Sequence, residues 1–153
     1  MTGVQTCALP ISAWSKLNDI IALSDALTVC VGLPVRINQR TYNGMAVVRD
    51  RKVHGVALKQ NLPGDGIHYE PRWFDAWKSE SVILLQTPMG EIPAGDLIFD
   101  CKGISFAFEI CEDAWRKIRP GQLHHKRGVE LILNPSASHF AFGKNLIRES
   151  IVC

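Results

Sequence analysis

The stretch from Leu97 to Cys111 constrains this chain more than any other. In ISFAFEIC the residues Ile104, Phe106, Phe108 and Ile110 alternate with Ser105, Ala107, Glu109 and Cys111. That period of two predicts a strand with two distinct faces. LIFDC precedes it, and Lys102-Gly103 supplies a turn, so residues 97–111 read as a β-hairpin. The hairpin ends on a thiol, and Glu112, Asp113 and Trp115 follow at once. A cysteine at a strand-to-loop boundary sits on rigid backbone yet is open to a substrate, which suits a nucleophile. The alternative is an inert, buried free cysteine.

The remaining patterns fit a layered α/β domain. Trp14, Leu17, Ile20, Ile21, Leu23 and Leu27 follow helical spacing. LTVCVGLP reads as a short buried strand closed by Gly-Leu-Pro. NGMAVVRD and KVHGVALK flank an Arg-Asp-Arg turn and predict another hairpin. A loop rich in Gly, Pro and aromatics follows, running into a short helix at Trp73 to Trp77. SVILLQTPMGEIPAGD reads as a strand and then a turn-rich excursion. RPGQLHHKRG predicts a helix capped by Gly128. VELILNPSAS is an apolar strand that breaks at Asn134-Pro135, and GKNLIRESIVC is an amphipathic helix with no stop signal.

With 153 residues, 46% of them hydrophobic, the chain can bury a core. A net charge of +2 offers no electrostatic case for nucleic acid or an anionic membrane as partner. No apolar run approaches the roughly 18 residues that span a bilayer. Cys7, Cys30, Cys101, Cys111 and Cys153 are odd in number and irregularly spaced, which fits a reducing cytoplasm better than a disulfide framework. His124 and His125 are adjacent and cannot easily share one metal ion, so no metal site is expected.

Polar groups close the predicted strands: VALK ends at Lys59, FEIC at Cys111 and LILNPSAS at Asn134 to Ser138. Ligands gather at the carboxyl ends of strands in open α/β sheets. An ammonium beside a thiol favours the thiolate and can stabilise the oxyanion formed when sulfur attacks a carbonyl. The alternative for Lys59 is a solvated surface lysine.

Lys59 in LKQNLP, Glu70 in HYEPRWF, Cys111 in EICEDAW and the run LNPSASHFAFGK together resemble the carbon–nitrogen hydrolase (nitrilase) superfamily. More narrowly, residues 13–153 resemble the glutaminase domain of glutamine-dependent NAD+ synthetases. The resemblance implies an α/β fold, the nitrilase-type αββα sandwich, incomplete at both ends. It implies that Cys111 attacks the side-chain amide of glutamine. Lys59 and the backbone N–H of Glu112 then stabilise the tetrahedral intermediate, and Glu70 positions the lysine; its alternative is an exposed loop acid. Glu112, Ser138 and Lys144 fall where the family holds the amino-acid end of glutamine. Helix capping is the alternative for Ser138 and a solvated face for Lys144. Relatives often carry Arg at the position of Lys144, so a bidentate clamp is lost. The resemblance implies no cofactor at these residues. ATP and Mg2+ would belong to a synthetase domain of the same parent chain, a cytoplasmic and homo-oligomeric enzyme that amidates nicotinic acid adenine dinucleotide.

Two departures qualify that expectation. Residues 1–12, MTGVQTCALPIS, resemble the translation of a sequencing-adapter oligonucleotide; on that reading they are an artefact and 13–153 is a partial hydrolase domain, the alternative being an ordinary disordered terminus. The segment that carries the family's general-base glutamate has no counterpart, and neither Glu70, Glu109 nor Glu112 is promoted to fill it. The polypeptide itself is therefore expected to be inactive. Competing readings are a free-standing nitrilase-type amidase, a non-catalytic interaction module of the same fold, and a thiol sensor in which Cys101 approaches Cys111 across the hairpin.

Overall fold

The computed structural model describes residues 3–137 and 141–152. The first helix, α1, spans Gly3–Leu23 and so begins upstream of the predicted start. Its apolar stripe meets the sheet through Trp14 and Leu17, with Ile21 packed beside them. It stops before Leu27 because Ser24 turns both its hydroxyl and its N–H onto the carbonyl of Ile21. A serine that bonds nearby backbone competes with helix continuation. Ala26 then takes a left-handed φ of 60°. Leu23 and Leu27, counted into the stripe from spacing, are exposed.

Five strands form the first sheet, in the order β1-β2-β3-β5-β4. They are β1 (Val29–Ile37), β2 (Arg40–Arg49), β3 (Lys52–Leu58), β4 (Val82–Thr87) and β5 (Gly90–Gly95). The predicted stop at Pro34 does not occur. β1 is an edge strand, where a proline sacrifices no ladder donor, and it runs on to Ile37. Its burial alternates along its length, so it is half-buried rather than fully enclosed. Asn38 and Gln39, with φ of 46° and 69°, join β1 to β2. Asp50 and Arg51, at 50° and 59°, join β2 to β3 as predicted. Paired positive φ values match the twist that two-residue hairpin turns require. The excursion after β4 is in fact β5, which folds back on β4 and also pairs in parallel with β3.

The second sheet, β6-β7-β8, holds β6 (Phe99–Cys101), β7 (Ile104–Phe108) and β8 (Leu131–Leu133). β6 and β7 form the predicted hairpin, and β8 lies parallel to β7. Between β7 and β8 runs α2 (Pro120–Lys126), closed by Gly128 at a φ of 81°. The last helix, α3, covers Lys144–Val152. No helix among the described residues is long and apolar enough to cross a membrane.

Alternation along β2 and β3 builds the layers. Ala46, Val48, Val56 and Leu58 face α1 in one apolar cluster. Met45, Val47 and Ala57 face the other way and meet Phe99, Phe106, Phe108 and Ile110 of the second sheet. The order is helix, sheet, sheet, helix: the αββα arrangement that the family resemblance implies. Cys101 lies next to the β6–β7 turn, paired with Ile104, while Cys111 lies beyond the opposite end of β7. The suggested approach of Cys101 to Cys111 is therefore ruled out. The Thr28 hydroxyl contacts Cys101 Sγ at 3.2 Å instead.

At the end of β5, Asp96 fastens the first sheet to α2. His124 Nε2 stands 3.0 Å from Asp96 Oδ1, the Glu80 N–H donates to Oδ2 at 2.7 Å, and Arg127 approaches at 3.7 Å. Burial alone would raise the carboxyl pKa, but the His124 ring, the Glu80 N–H and Arg127 outweigh it and hold it below the usual carboxylate value. A folded pKa below the unfolded one means that this stabilisation is present above about pH 4 and is lost as pH falls through the folded value. The urea midpoint should therefore drop as pH falls below about 4. Asp96→Asn should lower the midpoint at neutral pH and flatten that acid limb.

Candidate active site

The carboxyl ends of β3, β7 and β8 supply the site. Lys59 directly follows β3, two residues beyond Ala57 and so on the face that looks toward the second sheet. Its backbone is held from both sides: its N–H donates to the Asn43 carbonyl at 2.9 Å, and its carbonyl accepts the Trp77 N–H at 2.9 Å. Its side chain is 0% exposed, which rejects the solvated-lysine alternative. A buried ammonium must be paired, and Glu70 Oε2 lies 2.6 Å from Lys59 Nζ.

Glu70 reaches the lysine because its loop closes on itself. The Glu70 N–H donates to the Pro63 carbonyl, and the Glu70 carbonyl accepts from Trp73 and Phe74. Short 3-10 turns cover Gly66–His68 and Glu70–Arg72. The helix predicted at Trp73 to Trp77 is absent. Asp75 and Trp77 donate their N–H groups to Thr41 and Lys59 across the sheet margin, which draws the segment out instead of coiling it.

The alternation of β7 breaks at Cys111. Phe108 and Ile110 face the inter-sheet cluster, while Glu109 turns its carboxylate toward α2 and accepts the Gly121 N–H at 2.7 Å. A side chain on Gly121 would begin 2.5 Å from that carboxylate, so glycine is required there. Strict alternation puts Cys111 on the Glu109 face, as the sequence predicted. Instead Cys111 adopts a φ of 51° and packs against the inter-sheet cluster. A left-handed non-glycine residue is strained backbone of the kind that gathers at functional sites. Its N–H donates to the Pro135 carbonyl at 3.0 Å, continuing the β7–β8 pairing past the end of both strands. Asn134 Nδ2 adds a bond to the Glu109 carbonyl at 2.6 Å. Residues 111–115 then form a short 3-10 helix. The Glu112 N–H stands in its first turn and has no hydrogen-bond partner among the described residues.

Cys111, Glu70, Glu112 and Lys144 all line one cleft, floored by Met45 and Ile110 and walled by Tyr69, Trp73 and Trp115. Lys144 Nζ sits over the Trp115 ring, 5.2 Å from its centroid. That contact gives Lys144 a place in the cleft wall and argues against a purely solvated face. Glu112 pairs with Arg116, Oε1 to guanidinium nitrogen at 3.1 Å. Arg116 also donates to the Leu62 carbonyl at 2.9 Å. Ser138 lies outside the described residues. Among the described residues the cleft brings together Glu70, Cys111, Glu112 and Lys144, while Lys59 does not line it and meets it through Glu70.

Sequence reasoning passed over Asp113 and Asn61. Asp113 is 1% exposed and accepts from Gln60 N–H at 3.2 Å, Asn61 N–H at 2.7 Å and Asn61 Nδ2 at 2.9 Å on one oxygen. Its other oxygen accepts the Ile110 N–H at 2.9 Å. Burial pushes its carboxyl pKa up, while the Asn61 side chain, the Ile110 and Asn61 N–H groups and the Lys59 charge oppose the rise. The only signal in the sequence was its place directly after Glu112, which read as part of an acidic loop.

Comparison with known proteins adds an independent line. No family model matches the chain. It is 30% identical over 151 residues to the glutamine-dependent NAD(+) synthetase of Rattus norvegicus, a match covering 90% of this chain and 21% of that protein. It is 33% identical over 124 residues to the glutamine-dependent NAD(+) synthetase of Thermotoga maritima, covering 80% and 19% respectively. A crystal structure of a glutamine-dependent NAD(+) synthetase from Cytophaga hutchinsonii superposes with a TM-score of 0.82 at 39% identity, covering 94% of this chain and 23% of that one. A carbon–nitrogen hydrolase from Helicobacter pylori superposes with a TM-score of 0.64 at 18% identity, a likeness of fold alone, and covers 47% of that chain. The chain spans about a fifth of the length of the curated relatives it matches.

Removing one partner of a buried ion pair strands the other charge. Glu70→Gln should therefore destabilise the protein by about 2 kcal/mol, below the range for fully enclosed pairs because Glu70 is partly exposed. Lys59→Met combined with Glu70→Gln should lose less than the sum of the two single substitutions, as read from urea midpoints in a double-mutant cycle.

Proposed function

This chain is a homologue of the glutamine-dependent NAD(+) synthetases and has the fold of the carbon–nitrogen hydrolases, and on that premise we propose that it forms the glutamine-hydrolysing part of such a synthetase. The observation that carries the reading is the left-handed Cys111, which opens on a cleft shared with the Glu70 that holds the buried Lys59 ammonium.

In the proposed reaction Cys111 Sγ bonds to the side-chain amide carbon of glutamine, and the carbonyl π electrons move onto oxygen. Lys59 and the Glu112 N–H stabilise that oxyanion. When it collapses, the carbon–nitrogen bond breaks. The amine leaves as ammonia with the proton given up by the thiol, and a γ-glutamyl thioester remains. Water then adds to the thioester carbonyl, the carbon–sulfur bond breaks, and glutamate and the free thiol are released. Ammonia passes to a synthetase domain that amidates adenylated nicotinic acid adenine dinucleotide, using ATP and Mg2+ there.

The cleft chemistry suits glutamine at its other end too. The Glu112 carboxylate can take the α-ammonium, and Lys144 the α-carboxylate. Ser138 is assigned to that subsite by resemblance alone. Glu70 is assigned to orient Lys59 and not to carry protons. No general base is assigned among Glu70, Glu109 and Glu112. Each already holds a partner: Lys59, the Gly121 N–H and Arg116 respectively.

The test needs no turnover. The 153-residue chain is treated with 6-diazo-5-oxo-L-norleucine, a diazoketone shaped like glutamine, and the adduct is mapped by mass spectrometry. Labelling should fall on Cys111 and spare Cys30 and Cys101, should be blocked by excess glutamine, and should vanish in Cys111→Ser. Lys59→Met should slow it by about 10²-fold, the usual loss for one oxyanion donor. Even labelling of Cys30, Cys101 and Cys111 would remove the case for an activated nucleophile.

A further inference from the structure

Lys59 follows a strand of the first sheet and Cys111 a strand of the second, so no strand pairing sets their separation. The hydrogen bonds described between the two segments converge on one carboxylate. Asp113 is covalently two residues beyond Cys111, and it accepts the N–H of Ile110, the residue just before the thiol. With its other oxygen it accepts the N–H groups of Gln60 and Asn61, the two residues just after Lys59, together with the Asn61 side-chain amide. Every partner is a donor, so the site is complementary to an ionised, acceptor-only carboxylate. Charge-assisted bonds of this kind are shorter and stronger than neutral ones. Arg116 adds an outer tie to the Leu62 carbonyl, on the exposed side of the same junction.

We infer that Asp113 is the positioning residue that holds the Lys59 ammonium and the Cys111 thiol at a fixed separation, acting through Gln60, Asn61 and Ile110. Asp113 does not line the cleft, and it touches no substrate in this assignment. The inference rests on the proposed hydrolase reading for what the separation serves, but the clamp itself is a property of the fold. Asp96 provides the internal contrast. It too is a buried acid bridging a sheet and another element, yet its partners are Glu80, His124 and Arg127, and none of them lines the cleft. An acid that merely supports the fold should behave like Asp96.

The experiment compares the full chain with Asp113→Asn, Asn61→Ala and Asp96→Asn. Asp113→Asn is nearly isosteric, but its amide turns a donor where a carboxylate oxygen had accepted. Hydrogen exchange of the Gln60, Asn61 and Ile110 amides should accelerate by about tenfold or more, the loss expected for one hydrogen bond to a charged group. Labelling of Cys111 by the glutamine-shaped diazoketone should fall by about 10²-fold, the scale of an ångström-sized misplacement. Iodoacetamide needs an accessible thiolate but neither a glutamine pocket nor an oxyanion donor, so in alkaline buffer, where thiols are ionised in every variant, its rate at Cys111 should change little. Asn61→Ala, which spares the backbone donors, should give a smaller loss in the same direction. Asp96→Asn should lower the thermal midpoint and leave the ratio of the two labelling rates where it was.

Unchanged exchange at Gln60 and Asn61 would overturn the inference. So would a parallel fall with both electrophiles in Asp113→Asn, which would mark general damage around the thiol. If the unsubstituted chain shows no preference for the diazoketone at Cys111, the hydrolase reading fails. The exchange comparison then still decides whether Asp113 clamps the two segments.

Discussion

Face-to-face packing of the two sheets is the constraint on which everything else depends. Met45, Val47 and Ala57 of the first sheet meet Phe99, Phe106, Phe108 and Ile110 of the second. Side chains alternate along strands, so this packing also decides what can happen where the strands end. Two residues past Ala57, the same face receives Lys59. The parallel pairing of β7 and β8 brings the Pro135 carbonyl level with the Cys111 N–H. A slip of one residue in β3 would turn Lys59 into the cluster beneath α1, with no carboxylate to meet it. Register, set by apolar packing, thus selects which polar groups share the cleft.

A lysine buried to that depth is a liability unless its charge is answered. Moving an ammonium out of water costs several kcal/mol even after relaxation, and a single carboxylate contact offsets that only in good geometry. The contact with Glu70 is short, and the loop that carries Glu70 is fastened at both margins, through Pro63 and through the strand-like bonds of Asp75 and Trp77. The entropy cost of ordering the loop is therefore shared with these bonds and does not fall on the ion pair alone. In a buried, low-dielectric setting the same ammonium would interact more strongly with charge that develops nearby. Under the proposed reaction, the burial that makes Lys59 expensive for folding is also what would strengthen it against an oxyanion.

Much of this was legible in the residues. The Arg-Asp-Arg turn between β2 and β3, the hairpin around Lys102-Gly103 and the helix stopped by Gly128 all followed from local chemistry that acts within a few residues. What failed was decided at a distance. Pro34 reads as a stop, but β1 has no neighbour on one side, and edge position is a property of the assembled sheet. The segment from Trp73 to Trp77 looks helical in isolation and is drawn out because Thr41 and Lys59 offer carbonyls to it. Asp113 was missed for the same reason. Three of its four donors lie more than fifty residues earlier in the chain, and a carboxylate's donors leave no periodic trace.

The bend at Cys111 joins these threads. A non-glycine residue at positive φ costs on the order of 1 kcal/mol or more, and a glycine there would remove the strain. The chain carries a thiol instead and surrounds it with restraints: Pro135 on its own N–H, Asp113 on Ile110 before it, and the Ile110 carbonyl on Asp113 after it. Together these bonds exceed what the strained residue loses, at about 1 kcal/mol each, so the conformation is held and not relaxed. Its consequence is geometric. Alternation would have sent the sulfur toward α2, beside Glu109 and the Gly121 amide. The left-handed turn returns it to the inter-sheet side, where Lys59 and Glu70 already are. A fold seeking only stability has no reason to make that correction. The proposed hydrolase reading supplies one: sulfur presented to a carbonyl on the side where the ammonium lies.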